Sequence, residues 1–240
     1  MTERSPRTRG IGQISTGIQP GTVVAKTIEF VRQQLPRWRD DATRPVEHAE
    51  PKLNIHMCMF LEARARSEFP MACFHHEVPE TGQHRVDVSA SPPEMIVIEA
   101  TTYSIYDPFL VLEGKRLPAP SSDRQMEYVT GREQRNGGIQ RFKLGLHGAK
   151  LQVAMIIGYV QEESALHWHK EINSWISALA AGTVTDVCVW KAEDRLGSLD
   201  EDKEDRIGSC SSEHERSGVV ASNSIRLHHL LVEMHGAKRS

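Results

Sequence analysis

Four extended, apolar segments follow one another between Met71 and Leu117, and they constrain the fold more than any other feature. Short polar, glycine- or proline-containing stretches separate them, as turns separate the strands of a sheet. We expect the first two to form a hairpin around the turn at 80–83, and all four to lie in one sheet. In chain order the segments read MACFHHEVP, HRVDVSA, MIVIEATTY and FLVLEGKRL.

Helical periodicity flanks these segments. Apolar residues spaced by three and four predict a helix from Val24 to Leu35 that ends at Pro36, and a second helix over about 52–66. Ser164 is a predicted N-cap of a third helix. The buried stripe of this helix consists of Trp168, Ile172, Trp175, Ile176 and Leu179. The chain is therefore expected to have an α/β fold, with a central β-sheet flanked by helices.

The second half of the chain carries further strand patterns. The apolar run 151–160 predicts a central strand, 186–190 (DVCVW) is a strand candidate, and 224–234 predicts a closing strand. Residues 118–123 break the pattern, and 193–216, rich in charge and serine, predict a long loop.

Composition places this sheet in one domain. The chain has 240 residues, 39% of them hydrophobic, which suits a single domain at 22–240 preceded by an irregular arm at 1–21. A formal net charge of −3 indicates no global basic field. The chain shows no signal peptide and no apolar run of about 20 residues, so a cytoplasmic protein without a membrane segment is expected.

Charged side chains interrupt two of the predicted strands. Asp87 lies in HRVDVSA, and Glu113 and Lys115 follow the apolar run of FLVLEGKRL. Residues two apart on a strand point to the same face, so Glu113 and Lys115 project together. If the strand with Asp87 is their neighbour, two carboxylates and an ammonium converge, which is an arrangement for holding a divalent metal beside a phosphodiester.

Two other acids are candidates for the same site. Glu99 ends an equally apolar run and is an alternative to Glu113, although Thr101 stands where a lysine would be expected. Glu62 lies on the second predicted helix, where it either binds the metal or faces solvent. Histidine pairs and the four separated cysteines do not have metal-site spacing, so they are interpreted as structural or surface residues.

The segments Val86–Val88 and Val111–Leu117, in the order helix, hairpin with Asp, strand with Glu-x-Lys, helix, strand, resemble the PD-(D/E)xK nuclease superfamily over about 53–180. The proline that often precedes the aspartate is absent, since Arg85 and Val86 stand there. The resemblance implies a mixed sheet with a restriction-endonuclease-like core. It also implies that an additional acid on the upstream helix corresponds to Glu62.

The same resemblance implies an activity. Asp87 and Glu113 would hold Mg²⁺, with Mn²⁺ as an alternative ion, and Lys115 would orient the attacking water and steady the phosphate. The expected function is a metal-dependent endonuclease acting on DNA in restriction or anti-phage defence, as a homodimer or a subunit of a larger complex. The alternative is a non-catalytic nucleic-acid-binding or assembly subunit on the same fold.

A basic, glycine-spaced stretch follows the Glu-x-Lys strand. Arg132, Arg135, Arg141 and Lys143 suit contacts to a phosphate backbone, with an ordinary solvated helix face as the alternative.

Overall fold

Nine strands and four α-helices make up the computed structural model, which describes residues 22–79, 84–98 and 100–235. The predicted arm at 1–21, the turn at 80–83 and Glu99 lie outside the described residues. The helices are α1 Thr22–Arg39, α2 Glu50–Glu68, α3 Gly138–Lys143 and α4 Ala165–Ala180. The strands are β1 Cys73–Pro79, β2 Arg85–Ser91, β3 Ile96–Ile98, β4 Thr101–Tyr103, β5 Leu110–Leu117, β6 Val153–Val160, β7 Asp200–Asp202, β8 Ile207–Glu215 and β9 Ser224–Glu233.

Seven strands form one mixed sheet in the order β1-β2-β5-β6-β9-β8-β7. The central strands β5, β6 and β9 are parallel, and the outer strands on both sides are antiparallel to their neighbours. The chain is thus an α/β protein with a central mixed sheet and flanking helices, as the sequence predicts.

Two apolar layers cover the faces of the sheet. Helices α1 and α2 pack on one face, and α3 and α4 pack on the other. Strand β6 is covered on both faces. Met155 and Ile157 point into the first layer, while Ala154 and Ile156 point into the second. A strand buried on both faces reads as a continuous apolar run, which is the pattern seen at 151–160. Across the described residues, no helix is both long and apolar enough to cross a bilayer.

The hairpin β1–β2 and the α4 prediction are confirmed. Strands β1 and β2 are antiparallel neighbours, from the pair Cys73–Ser91 to the pair Pro79–Arg85. Ser164 accepts a hydrogen bond from the backbone N–H of His167 at 3.1 Å, so it is the N-cap of α4. The predicted stripe on α4 is buried along its full length.

The predicted end of α1 at Pro36 is wrong, because the helix continues to Arg39. Proline removes one backbone hydrogen bond from a helix interior. The extra turn places Trp38, which is 1% exposed, against the ring of Tyr159 at a centroid distance of 5.8 Å. Burial of this large side chain offsets the lost hydrogen bond.

The segment MIVIEATTY does not join the main sheet. Strands β3 and β4 form a separate two-stranded hairpin, so β2 pairs directly with β5. The expectation of four strands in one sheet is therefore wrong, and the sequence interval between Asp87 and Glu113 is spanned by an excursion from the sheet.

The strand prediction for 186–190 is wrong, because the segment is irregular, bends at Val187 and Cys188, and belongs to neither sheet. Side-chain hydrogen bonds hold this segment in place of strand pairing. Asp186 accepts hydrogen bonds from Thr130 Oγ1 at 2.5 Å and from Trp190 Nε1 at 2.7 Å. Side-chain anchoring turns Trp190 inward and leaves Val189 76% exposed.

The predicted loop at 193–216 is also wrong, because it contains β7 and the nine-residue strand β8. The inward-facing residues of β8 include Ser212 and His214, which are polar, so the strand lacks an apolar pattern. Ser212 Oγ lies 2.7 Å from both His214 Nε2 and His229 Nε2. His214 Nδ1 lies 2.7 Å from Asp194 Oδ1, so each buried polar group here has a partner.

Candidate active site

Strands β2 and β5 separate beside Asp87. Their ladder runs from the pair Ala90–Leu110 to the pair Val88–Leu112. At the next position on β2, Asp87 Oδ2 accepts the backbone N–H of Gly114 at 2.8 Å, so a side chain replaces a ladder bond. The Asp87 carboxyl therefore lies where the two strands part.

Glu113 and Lys115 lie together on β5, as the strand alternation predicts. Lys115 Nζ is 2.9 Å from Glu113 Oε1, and the side chains are 4% and 0% exposed. Both are buried charges in the apolar interior of an α/β sheet, where such groups are rare unless paired.

The acid that helix α2 contributes is Glu50. Its Oε1 is 3.0 Å from Lys115 Nζ, and its Oε2 accepts the backbone N–H of Arg116 at 3.0 Å. Glu50 opens α2 immediately before Pro51. The sequence carried a signal for it, since acids and an early proline are typical of a first helical turn, but the predicted helix began two residues later.

Glu62, the acid expected from this helix, is engaged elsewhere. Its Oε2 accepts the backbone N–H of Phe74 at 2.8 Å, and its Oε1 pairs with Arg66 at 2.9 Å. The carboxylate fastens α2 to the start of β1, and the structure does not bring it together with Glu113 and Lys115.

Gly114 is required for this arrangement. A Cβ at this position would lie 2.0 Å from Asn54 Oδ1 of α2, an impossible contact. The same Asn54 oxygen accepts the hydroxyl of Tyr159 at 2.7 Å. The missing side chain thus lets α2 approach β5 closely enough for Glu50 to reach Lys115.

Helix α3 closes the other side of the site. Arg141 Nη1 is 2.7 Å from Glu113 Oε1, and His147 Nδ1 is 3.1 Å from Glu113 Oε2. A Cβ on Gly138, at the start of α3, would lie 3.4 Å from Lys115 Cγ and 2.7 Å from the carbonyl oxygen of Tyr128. Glycine at 138 therefore lets α3 lie close to β5, which brings Arg141 into contact with Glu113. No sequence pattern singled out His147.

The remaining basic candidates separate into two kinds. Arg132 and Arg135 are exposed on a 3₁₀ turn at Arg132–Gln134. Lys143 is buried, with Nζ 2.7 Å from Asp194 Oδ1 and 5.0 Å from the centroid of the Trp190 ring. Lys143 thus holds a structural ion pair and is not presented to a phosphate backbone.

The two strand carboxyls carry different charges. Burial, with the charge of Glu113 adding to it, raises the pKa of Asp87 to about 8, although Lys115 and the Gly114 N–H oppose the shift. Burial also acts to raise the pKa of Glu113, but Lys115, His147 and Arg141 hold it well below its usual value. At neutral pH Asp87 is therefore protonated and Glu113 is ionised.

Among the described residues, no three His, Cys, Asp or Glu side chains already converge as a metal-binding group. The donors that suit Mg²⁺ are Asp87 and Glu113, both hard oxygen ligands. Glu113 Oε2 is buried without an aligned hydrogen bond in the described part of the chain, and the group that faces it is His147 Nδ1 at 3.1 Å.

No protein-family model, curated protein or solved structure matches this chain.

Proposed function

We propose that this protein is a metal-dependent nuclease with a restriction-endonuclease-like core, acting on the phosphodiester bonds of DNA. The observation that carries the proposal is the placement of Asp87, Glu113 and Lys115. A half-buried carboxyl whose pKa is raised and a fully buried carboxylate lie beside a lysine at the point where two strands separate. Perturbed ionisable groups gathered at one point are typical of functional sites.

The charges of the cluster fit a metal and one phosphate. As described, the charges of Glu50 and Glu113 are balanced by Lys115 and Arg141, with Asp87 neutral. A divalent ion would favour the ionised form of Asp87, because an opposite charge stabilises a carboxylate. Three carboxylates, two basic side chains and the ion then leave one positive charge, which matches one phosphodiester group.

The side chains have separate roles in this proposal. Asp87 and Glu113 would hold Mg²⁺, or Mn²⁺ in its place, and the bound ion supplies a polarised water and neutralises phosphoryl oxygens. Lys115 holds a positive charge close to both carboxylates, where it can steady a phosphate and orient the attacking oxygen. Glu50 positions Lys115 and does not itself reach the substrate in this scheme.

The order of the elements supports the same core. The chain order is an acid-bearing helix (α2), an antiparallel hairpin with the aspartate (β1–β2), the separate hairpin β3–β4, the Glu-x-Lys strand (β5), helix α3 and a parallel strand (β6). Restriction or anti-phage defence in the cytoplasm, with a homodimer or a larger complex to cut both strands, belongs to this proposal through the sequence resemblance alone.

The test is cleavage of supercoiled plasmid by the full chain with Mg²⁺, with Mn²⁺ and with EDTA, alongside single-stranded DNA and RNA. Asp87→Asn and Lys115→Met should each lower the metal-dependent rate at least about 100-fold. Glu62→Gln is the matched control, because it alters a carboxylate of α2 whose partners are Phe74 and Arg66. Full activity in Asp87→Asn would refute the assignment.

The second candidate is a non-catalytic nucleic-acid-binding or assembly subunit on the same fold. One observation favours it: the cluster is electrically balanced without any ion, which suits a site that only holds the sheet together. Calorimetric titration separates the two candidates. A folded protein that binds neither Mg²⁺ nor Mn²⁺ at millimolar concentration supports this second function.

A further inference from the structure

Six polar side chains form one continuous hydrogen-bonded relay inside the protein, and none of them is more than 6% exposed. Ser212 lies in the middle, with Oγ 2.7 Å from both His214 Nε2 and His229 Nε2. The Tyr128 hydroxyl is 2.9 Å from His229 Nδ1, and Asp194 Oδ1 is 2.7 Å from His214 Nδ1. The buried relay consists, in order, of Tyr128, His229, Ser212, His214, Asp194 and Lys143.

The hydrogens of the buried relay can be assigned from the Asp194 end. Burial acts to raise the pKa of Asp194, but hydrogen bonds from His214 and Lys143 hold it below its ordinary value, so the carboxylate only accepts. Burial lowers the pKa of His214, although Asp194 opposes the shift, so the ring is neutral at pH 7. His214 therefore donates through Nδ1 and accepts through Nε2.

The rest of the assignment follows. Ser212 has one hydrogen, which it donates to His214 Nε2, so its oxygen accepts from His229 Nε2. Burial, with His214 adding to it, holds the pKa of His229 well below its ordinary value, so this ring is also neutral and its Nδ1 accepts from Tyr128. Burial holds the pKa of Tyr128 well above its ordinary value, which keeps the hydroxyl protonated. All these hydrogens point from Tyr128 toward Asp194.

Both ends of the buried relay hold helix α3. Lys143, the last residue of α3, donates to Asp194 Oδ1 at 2.7 Å. The backbone carbonyl oxygen of Tyr128 accepts the N–H of Ile139, in the first turn of α3, at 3.2 Å. Between these two points α3 carries Arg141, whose guanidinium is part of the candidate site. The buried relay therefore fastens the helix that supplies this arginine to β8 and β9.

We propose that the buried relay is an acid-sensitive latch, in which protonation of His214 or His229 releases α3 from β8 and β9. A second proton on His229 turns Nδ1 into a donor, so the Tyr128 hydroxyl loses its acceptor. A second proton on His214 does the same to the hydroxyl of Ser212. In each case a buried donor is left without a partner, and opening of the latch relieves this cost. The proposal concerns the packing of α3 and does not rest on the nuclease activity.

The surroundings of the two rings set the direction of the pH dependence. The titratable and charged groups that face the relay are Asp194, Lys143 and Glu213 beside His214, His214, His228 and His169 beside His229, and Cys210 beside Tyr128. The pKa of each ring is lowered when the latch is closed, so the open form binds more protons below the ordinary value of 6.5. The latch is therefore closed above about pH 6.5 and loosens as pH falls below it.

Two measurements on the full chain test the latch. Long-range ¹H–¹⁵N NMR at pH 7.5 reads the ring tautomers, and we expect a proton on Nδ1 of His214 and on Nε2 of His229. Amide hydrogen exchange, corrected for its intrinsic pH dependence, then compares 138–143 at pH 7.5 and 5.5. Protection there should fall at least about tenfold, the effect of one released imidazole of ordinary pKa, while that of α1 changes less.

Variants separate the latch from a general effect of acid. The double variant His214→Gln with His229→Gln should abolish the pH effect on α3, since each glutamine keeps a donor and an acceptor but does not titrate. His75→Gln, at an exposed position of β1, is the matched control and should retain the effect. A charged ring or the opposite tautomer in the wild type at pH 7.5 overturns the proposal without any variant. Protection of α3 that is unchanged at pH 5.5, or a pH effect that survives in the double variant, also overturns it.

Discussion

Asp87 and Gly114 are joined by a hydrogen bond of 2.8 Å from the Gly114 backbone N–H to the Asp87 carboxyl, across the point where β2 and β5 separate. A carboxyl group thus completes the sheet where a backbone carbonyl would otherwise be expected. The bond fixes the half-buried side chain near Glu113, where partial burial and the charge of Glu113 raise the pKa of Asp87. The site consequently lowers the free energy of unfolding.

The first prediction concerns this loss of stability and its dependence on pH. The pKa of Asp87 is raised to about 8 in the folded chain from an ordinary value of 3.8, so the folded state retains a proton that the unfolded state releases. The free energy of unfolding therefore falls as pH rises from about 4 to about 8 and levels off above that. Without metal, Asp87→Asn should remove this slope and stabilise the protein at pH 8 by a few kcal/mol, on the order expected for such a shift.

Urea unfolding at pH 5, 7 and 9 in EDTA measures this effect. Asparagine keeps an acceptor for the Gly114 N–H, so the comparison isolates the charge. Asp205→Asn, at an exposed position, is the control and should leave the slope unchanged. An unaltered slope in Asp87→Asn would show that Asp87 is ionised in the folded protein.

The second prediction concerns Gly114. Because an added Cβ would lie 2.0 Å from Asn54 Oδ1, Gly114→Ala should destabilise the protein by about 1–3 kcal/mol. Asn54→Ala alone should also destabilise, since Tyr159 loses its hydrogen-bond acceptor. In the double variant the contact with Asn54 is gone and the closest remaining atom is Tyr159 Cε2 at 3.0 Å, so the double variant should lose less stability than the sum of the two single losses. Additive costs in thermal unfolding would contradict the packing argument.

The third prediction concerns Glu50, whose carboxylate contacts Lys115 Nζ and the Arg116 N–H. Glu50→Gln retains the acceptor for the backbone but removes the charge beside the lysine. We expect kcat for plasmid cleavage to fall about 10- to 100-fold, the range found for residues that orient a metal site, with little change in KM. Glu62→Gln, on the same helix, should retain the wild-type kcat, and equal effects of the two changes would argue against a positioning role.

The fourth prediction compares a buried ion pair with an exposed one. Lys143 and Asp194 are each 4% exposed, so Asp194→Asn leaves a buried ammonium without its counter-ion and should cost about 3 kcal/mol or more. The pair Lys191–Glu215 is 48% and 72% exposed, so Glu215→Gln should change stability by less than about 1 kcal/mol. Chemical denaturation of both variants provides the comparison, and similar losses would contradict the assigned burial.

Patterns that repeat along the chain were predictable. The apolar run of β6, the stripe of α4 and the hairpin around Asp87 follow from periodicity, because each buries a regular face. The proximity of Glu113 and Lys115 followed from the two-residue repeat of a strand.

Features that depend on tertiary partners were not predictable. Strand β8 buries Ser212 and His214, whose partners His229 and Asp194 lie on other elements. Helix α1 passes Pro36 because Trp38 finds a place beside Tyr159. His147 belongs to the site only through the turn after α3, and nothing in its neighbouring residues marks it.

The two edges of β5 are paired with their neighbouring strands over different lengths. Toward β6 the strand is paired from Leu112 through Leu117, whereas toward β2 its ladder covers only the three pairs from Ala90–Leu110 to Val88–Leu112. Segments held by few backbone hydrogen bonds open locally at lower free energy than the core. We therefore expect the β2–β5 pairing to open before the parallel strands separate, and this opening would expose the buried side chain of Lys115 to solvent.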